Sequence, residues 1–239
     1  MNIVISQPMY FPWVGMLEQI RLADHFVFYD DVQFSKGSFV NRVQIKTASG
    51  IKWLTVPLNG LSLGQRIQDV QIDTRKDWRR QHLDMLRQAY AGTPHLKDML
   101  GLVKDVFDAD PQTIGQLSEL SMMALCGYFG LTQSRRFDHI ADLAIPGSGS
   151  QRVLDIVTHL GGERYVTGLG AANYLDHEAF ACAGVQVEYM AYRKQPYSQQ
   201  HGEFTPYVSA LDLVANMGHD GVQCISSSTT NWKEFLHHE

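Results

Sequence analysis

The sequence predicts an α/β fold: a three-layer, open and mainly parallel sheet, with a helical segment around residues 96–130 packed beside it. Two observations carry the prediction. Strand-like and helix-like stretches alternate along most of the chain, the order a parallel sheet requires because each crossover needs a long connection. The opening 34 residues also fit strand, stiff loop, helix and strand into one short segment. Residues 1–6 read as a strand, 7–15 as a loop, 16–22 as a helix, and the apolar run 25–29 as a second strand that stops on Asp30-Asp31-Val32-Gln33-Phe34. In the loop, Pro8 and Pro12 fix φ and bias Gln7 and Phe11 toward extended backbone, while Gly15 permits a close approach as the helix starts. The helix N-terminus there offers unpaired N–H groups to a phosphate or carboxylate, or else the loop's aromatics only cap the core.

The remaining elements follow in order. Residues 39–45 and 52–58 alternate like strands and are joined by Ala48-Ser49-Gly50, which predicts a hairpin. Residues 60–64 read as a flexible crossing and 70–72 as a short strand. Asp73-Thr74 reads as the cap of a helix carrying Trp78, His82, Leu83, Leu86 and Tyr90. From 96 to 128 the apolar spacing predicts two helices broken at Asp110-Pro111. Residues 131–140 read as a strand or extended link, and 145–150 as the clearest loop, rich in Gly, Ser and Pro. A helix over 151–160, a strand over 164–168, a Gly168-Leu169-Gly170 turn, a helix opened by residues 174–177, and a strand over 185–190 come next. The chain closes with an amphipathic helix over 207–218 and a final helix from near Thr229; no internal repeat or low-complexity tract interrupts it.

A length of 239 residues suits a single α/β domain over 1–239 with the helical subregion 96–130 inside it. With 44% hydrophobic and 19% charged residues the composition is that of a soluble globular protein, and no run reaches the roughly 18 apolar residues of a membrane span. No secretory leader is expected, since the first residues lack a basic segment followed by an apolar one. Cys126, Cys182 and Cys224 are unpaired in spacing, which points to a reducing cytoplasm. Cys224, beside a serine run, is the one thiol worth testing as a nucleophile. No metal is expected, because the only His pair at ligand spacing is His237-His238 at a terminus. The net charge of −5 argues against nucleic acid as the main partner; the basic clusters at 75–80 and 135–136 read as solvated helix faces.

Several residues have the chemistry of a site. Asp30 and Asp31 end a strand where parallel sheets bind ligands, and adjacent carboxylates raise each other's proton affinity, as a general base needs; the alternative is a turn cap and an ion pair with Lys36 or Arg42. Lys36, Asn41 and Arg42 form either an anion grip or a solvated hairpin face. His82 is either an acid–base group or a hydrogen-bonding residue at the core edge. Tyr10, Phe11, Trp13, Tyr165, Tyr174, Tyr192 and Tyr197 offer faces on which sugars and nucleobases stack, half of them expected in the core. Gly168 allows close backbone approach, and Ser226, Ser227 and Ser228 read as a helix N-cap or a phosphate cradle.

Together these stretches resemble one family, the WbqC-like proteins encoded in bacterial surface-polysaccharide and other sugar-modification gene clusters. The resemblance rests on Gln7-Pro8 with Tyr10-Phe11-Pro12-Trp13 and Gly15, Asp30-Asp31-Val32-Gln33-Phe34 with Lys36, Asn41-Arg42, and the stretch Trp53 to Leu58. It continues through Trp78, His82 and Tyr90, Arg152 with Tyr165, Gly168 and Tyr174, and Tyr197 with Gln199, Phe204, Ser209 and Asp212. It implies a transferase that forms an amide by acyl or aminoacyl transfer to an amino sugar or similar amine. A weaker resemblance, to the nucleotidylyltransferase superfamily, implies a nucleotidylyltransferase-like sheet. It rests on the opening strand, loop and helix and on Ile225-Ser226-Ser227-Ser228-Thr229-Thr230, although Tyr10 to Gly15 lacks the two His residues by which that superfamily binds ATP.

The expected site therefore has Asp30, Asp31 and His82 as catalytic groups. Gln7, Tyr10, Trp13, Gln33, Lys36, Asn41, Arg42, Gly168, Tyr174, Tyr197 and Gln199 would hold substrate, and Ser226, Ser227 and Ser228 phosphate. The expected partners are a small-molecule substrate such as a nucleotide-linked sugar and an activated acyl or aminoacyl donor, with aminoacyl-tRNA as the one nucleic-acid option. The alternatives are an ATP-dependent activating enzyme and a non-catalytic binding protein.

Overall fold

The computed structural model describes residues 1–237; the His237-His238 pair lies outside the described side chains. In chain order, β1 (Asn2–Ser6) leads to α1 (Val14–Leu22) and β2 (His25–Phe28). The hairpin β3 (Arg42–Thr47) and β4 (Gly50–Thr55) and the short ladder β5 (Leu58–Asn59) with β6 (Gln71–Ile72) follow. Helices α2 (Trp78–Ala89), α3 (Leu96–Asp108) and α4 (Ile114–Tyr128) then precede β7 (Arg136–His139). The rest comprises α5 (Ile140–Leu143), α6 (Gly149–His159), β8 (Arg164–Thr167), α7 (His177–Cys182), β9 (Gln186–Ala191), α8 (Ala210–Met217), β10 (Ser228–Asn231) and α9 (Trp232–His237).

The central sheet has six strands in the order β10-β9-β8-β1-β2-β7, parallel except for β10. Because side chains alternate across a strand, Ile3, Ile5, Val27 and Val187 pack on one face with Ile156 of α6 and Phe180 of α7. Val4, Phe26, Phe28 and Val166 pack on the other with Leu17 and Ile20 of α1, Leu117 of α4 and Leu211 of α8. Both faces are covered, giving the three-layer α/β arrangement with a mainly parallel sheet. No helix among the described residues is long and apolar enough to cross a membrane.

The long excursion between the neighbouring strands β2 and β7 carries the expected hairpin and helical segment, and Arg135 closes it. Its guanidinium donates to the Ile20 and Arg21 carbonyls at the end of α1 and to Leu131 O, so it is a helix cap rather than a solvated charge. Three boundaries differ from expectation. Helix α2 is capped by Asp77, whose side chain accepts from Arg80 N, because Asp73 is taken by Arg75 at 2.7 Å. Helix α4 starts at Ile114 through a Thr113/Gln116 capping box, beyond Pro111. The stretch expected to start a helix near Thr229 instead pairs antiparallel with β9, Ser228 opposite Ala191, and the helix starts only at Trp232. Two β-branched residues beside an open sheet edge gain more as a ladder than as a helix start.

The loop after β1 is held at every step. Tyr10 N donates to Phe39 O at 3.0 Å, Phe11 N to Ser121 Oγ at 2.8 Å, and Ser209 Oγ to Phe11 O at 2.7 Å. Ala210 N reaches Pro12 O at 2.7 Å. Phe11 is fully buried and has φ of +39°, so the expectation of extended backbone before Pro12 fails there. A left-handed phenylalanine costs about 1–2 kcal/mol. It persists because the surrounding hydrogen bonds and ring packing determine its position from both sides. Removing either hydroxyl strands a buried polar atom of Phe11. Ser121→Ala and Ser209→Ala are each expected to lower the unfolding free energy by about 1–3 kcal/mol, measured by urea denaturation.

Candidate functional site

Strand additions run one way from β1 through β2 to β7 and the other way from β8 through β9 to β10, so the order reverses between β1 and β8. Open sheets of this kind bind ligands outside the carboxyl ends of the strands at that reversal. A cleft of about 1090 Å³ lies there. Ser6 and Gln7 enter it from the end of β1, Tyr29 and Asp31 from β2, Thr167 and Gly168 from β8, and Ala191 and Tyr192 from β9. Trp13, Met16 and Gln19 of the α1 segment form one wall, and Gly147-Ser148-Gly149 at the start of α6 another.

The strongest polar contact in the cleft joins Asp31 to Arg152, in the first turn of α6. Arg152 Nη1 is 2.9 Å from Oδ1 and Nη2 is 2.6 Å from Oδ2, a two-point fork. Nε donates to Ile145 O at 2.9 Å, and the guanidinium carbon lies 5.1 Å from the Tyr29 ring centroid, so the 7%-exposed side chain is fixed on every side. Gly147 and Gly149 both have positive φ, which lets the chain fold tightly over Arg152 and enter the helix. The Ser148 cap makes no side-chain bond to the helix, leaving its first N–H groups and their partial positive charge at the cleft.

Aromatic rings form the rim. Trp13 packs edge-on against Tyr192 at 4.7 Å between centroids, and Lys194 Nζ stands 5.3 Å from the Tyr207 centroid. Gly15 makes room for the indole, since a Cβ there would lie 2.1 Å from Trp13 Cζ3. The close approach anticipated at Gly15 is thus made by the helix's own cap residue. Tyr174 is 51% exposed within the cleft and its hydroxyl pairs with that of Tyr165. Burial raises the Tyr29 and Tyr174 phenols, keeping both protonated as donors.

Of the expected site residues, the cleft gathers Gln7, Trp13, Asp31, Gln33, Gly168 and Tyr174. The others lie elsewhere. Asp30 is not on the cleft wall; its carboxyl is raised chiefly by burial, with His139 acting against the rise and Asp31 adding to it less. Tyr10 and His82 bond to each other at 2.9 Å inside the core, and burial lowers the imidazole to about 4. Asn41 is buried and donates to Val56 O, Arg42 lies over Trp53 at 4.3 Å with Nη2 on Gly37 O, and Lys36 is on an exposed loop. Tyr197 donates to Asp212 and receives from Gln199, whose Oε1 takes the buried Lys46 ammonium at 3.2 Å. Lys46 also donates to the Gly202 and Glu203 carbonyls, so this group anchors the 192–209 strap beside the cleft.

Ser227 Oγ donates to Ala191 O, and Ser226 and Ser227 face the buried Glu18 carboxyl, while Ser228 opens β10; none starts a helix. Burial raises the Cys224 thiol, the opposite of what activates a nucleophile. Among the described residues no group of three His, Cys, Asp or Glu is placed to hold a metal ion. Sequence reasoning missed Gln19, Tyr29, Lys194 and Tyr207, and it read Pro146 to Ser150 as a plain loop. A Gly-rich stretch running into a helix with Arg152 in its first turn was the signal that could have found this wall.

The model for the WbqC-like protein family matches residues 7–224. An uncharacterized protein of Mycobacterium tuberculosis is 30% identical over 222 residues, covering 91% of this chain and 94% of that protein. No solved structure matches the chain.

Two predictions follow from these placements. His82 stays neutral when folded, whereas an unfolded imidazole protonates near 6.5, so its contribution is complete above 6.5 and is lost as pH falls toward 4. Glu18 acts oppositely: burial lifts its carboxyl to about 7, and its contribution fades as pH rises from about 4.5 to 7. The stability difference between wild type and His82→Gln separates the two, and should shrink by about 2–3 kcal/mol from pH 7 to pH 4.5 in urea titrations. A pH-independent difference would show that His82 does not titrate this way. Gly15→Ala should displace the Trp13 ring and alter the near-ultraviolet circular dichroism of the Trp13–Tyr192 pair while leaving the far-ultraviolet spectrum unchanged.

Proposed function

The chain belongs to the WbqC-like protein family, and from that premise we propose that it is a transferase forming an amide between an activated acyl or aminoacyl donor and an amino sugar or similar amine, bound as a nucleotide-linked compound. The observation that carries this reading is the cleft at the sheet reversal. There, stacking faces at Trp13, Tyr192 and Tyr207 stand across from the α6 N-terminus and the Asp31–Arg152 fork. Aromatic faces take sugar and base rings, while helix N–H groups take phosphate oxygens.

Asp31 is the carboxylate on the cleft wall. Each of its oxygens keeps a lone pair beyond the bond to Arg152, so it can receive a hydrogen bond from the acceptor amine. As the nitrogen attacks the donor carbonyl, the N–C bond forms, the bond to the leaving group breaks, and the amine proton passes to Asp31. Tyr29 and Tyr174, held protonated, donate to substrate oxygens. The ATP-activating alternative draws less support: the first loop has no histidine and the serine stretch enters a strand.

Thermal stabilisation by a panel of nucleotide-sugars, without ATP turnover, is the expected result. Once the panel identifies an acceptor, Asp31→Asn is expected to lower turnover by about 100-fold or more. Pyrophosphate release from ATP and a carboxylic acid, or an Asp31→Asn enzyme with undiminished turnover, would sink the assignment.

A further inference from the structure

Behind the Asp31–Arg152 pair lies a second cavity of about 490 Å³. It shares Asp31, Gly147 and Arg152 with the main cleft, so the ion pair forms a partition with a chamber on either side. The far chamber adds two polar side chains of its own, Arg66 and Gln68.

Backbone pairing places them. Phe34 N donates to Gln65 O at 2.8 Å, Gln33 bridges Arg66, Ile67 N donates to Val32 O at 3.0 Å, and Gln68 N to Asp30 O at 3.0 Å. The 65–68 segment is thereby zipped antiparallel to the chain leaving β2, the same chain that carries Asp31. Arg66 is extended and caps a single 3-10 turn over Ile67–Asp69; Ile67 is fully buried, while Arg66 and Gln68 on either side of it line the cavity. The charges are uneven. Arg152 is neutralised by Asp31, whereas the Arg66 guanidinium has no hydrogen bond or ion pair among the described residues, so the chamber holds one uncompensated positive charge. Gln68 adds an amide donor.

We propose that this chamber is an anion subsite that takes the carboxylate or phosphate group of a co-substrate, with Arg66 and Gln68 as its donors. Resting on the transferase reading above, it makes the site two-chambered: sugar in the main cleft, the anionic end of the second reactant behind the partition, and Asp31 within reach of both. A guanidinium fork with an amide beside it matches the paired oxygens of either anion.

Isothermal calorimetry with inorganic phosphate and, separately, with acetate tests the subsite on the full chain. One of the two anions is expected to bind at an Arg66-dependent site, separate from any phosphate taken at the α6 N-terminus, and which one tells phosphate from carboxylate chemistry. Arg66→Gln should weaken that binding at least tenfold, and Arg66→Lys should fall between. Arg66 is solvent-exposed, so an unchanged thermal midpoint of the free variants serves as the folding control. Absence of binding by both anions, or equal affinity in Arg66→Gln, would overturn the subsite. Nucleotide-sugar stabilisation should stay within twofold in Arg66→Gln. Its absence in wild type as well would count against the transferase reading while leaving the anion result standing.

Discussion

The left-handed backbone of Phe11 is the constraint on which the site depends. A bulky residue is held there only because Ser121 of α4 and Ser209 before α8 bind its N–H and its carbonyl, two elements that come from far apart in the chain. The next residues, Pro12 and Trp13, inherit their direction from that turn, and Trp13 in turn caps α1 and forms the aromatic wall of the cleft. The helical segment between β2 and β7 is therefore more than an appendage. It supplies one of the two clamps that aim the loop, and without it the strand end at β1 would lead into an undirected turn.

The second organising contact is the Asp31–Arg152 fork. Asp31 leaves β2 and Arg152 belongs to the first turn of α6, so the pair ties together the two sides of the sheet reversal. It is partly buried, where breaking one partner leaves the other uncompensated at a cost of several kcal/mol. The same bond that closes the wall presents a carboxylate at the cleft.

Much of the sheet was legible in the sequence because short apolar runs bounded by turn residues have a local cause. The β1–α1–β2 opening, the hairpin, the helical pair and the β8 and β9 strands fall close to their expected places. The misreadings share a different cause: each was decided by the partner a residue met in the folded chain, far along the sequence for Thr229 and Thr230 and only two residues away for Asp73. Thr229 and Thr230 became strand because the edge of β9 was open, and Asp77 rather than Asp73 capped α2 because Arg75 had claimed Asp73. Of the candidate site residues, Gln7, Trp13, Asp31 and Gly168 reach the cleft because strand ends and the loops leaving them open onto it in a parallel sheet. His82, Tyr10 and Asn41 have polar or aromatic chemistry that reads the same on a core wall as in a cleft, and only burial distinguishes the two, whereas Arg42 lies over the exposed Trp53 of the hairpin.

The Lys46 ammonium gives the strap beside the cleft an unusual kind of attachment. Two of its three acceptors, the Gly202 and Glu203 oxygens, belong to the main chain of the strap. Such an anchor is indifferent to most side chains along the segment it holds. Residues such as Lys194 and Tyr207 at the cleft mouth can then be exchanged without loosening the strap, so diversification of what the protein recognises is chemically uncoupled from keeping its shape.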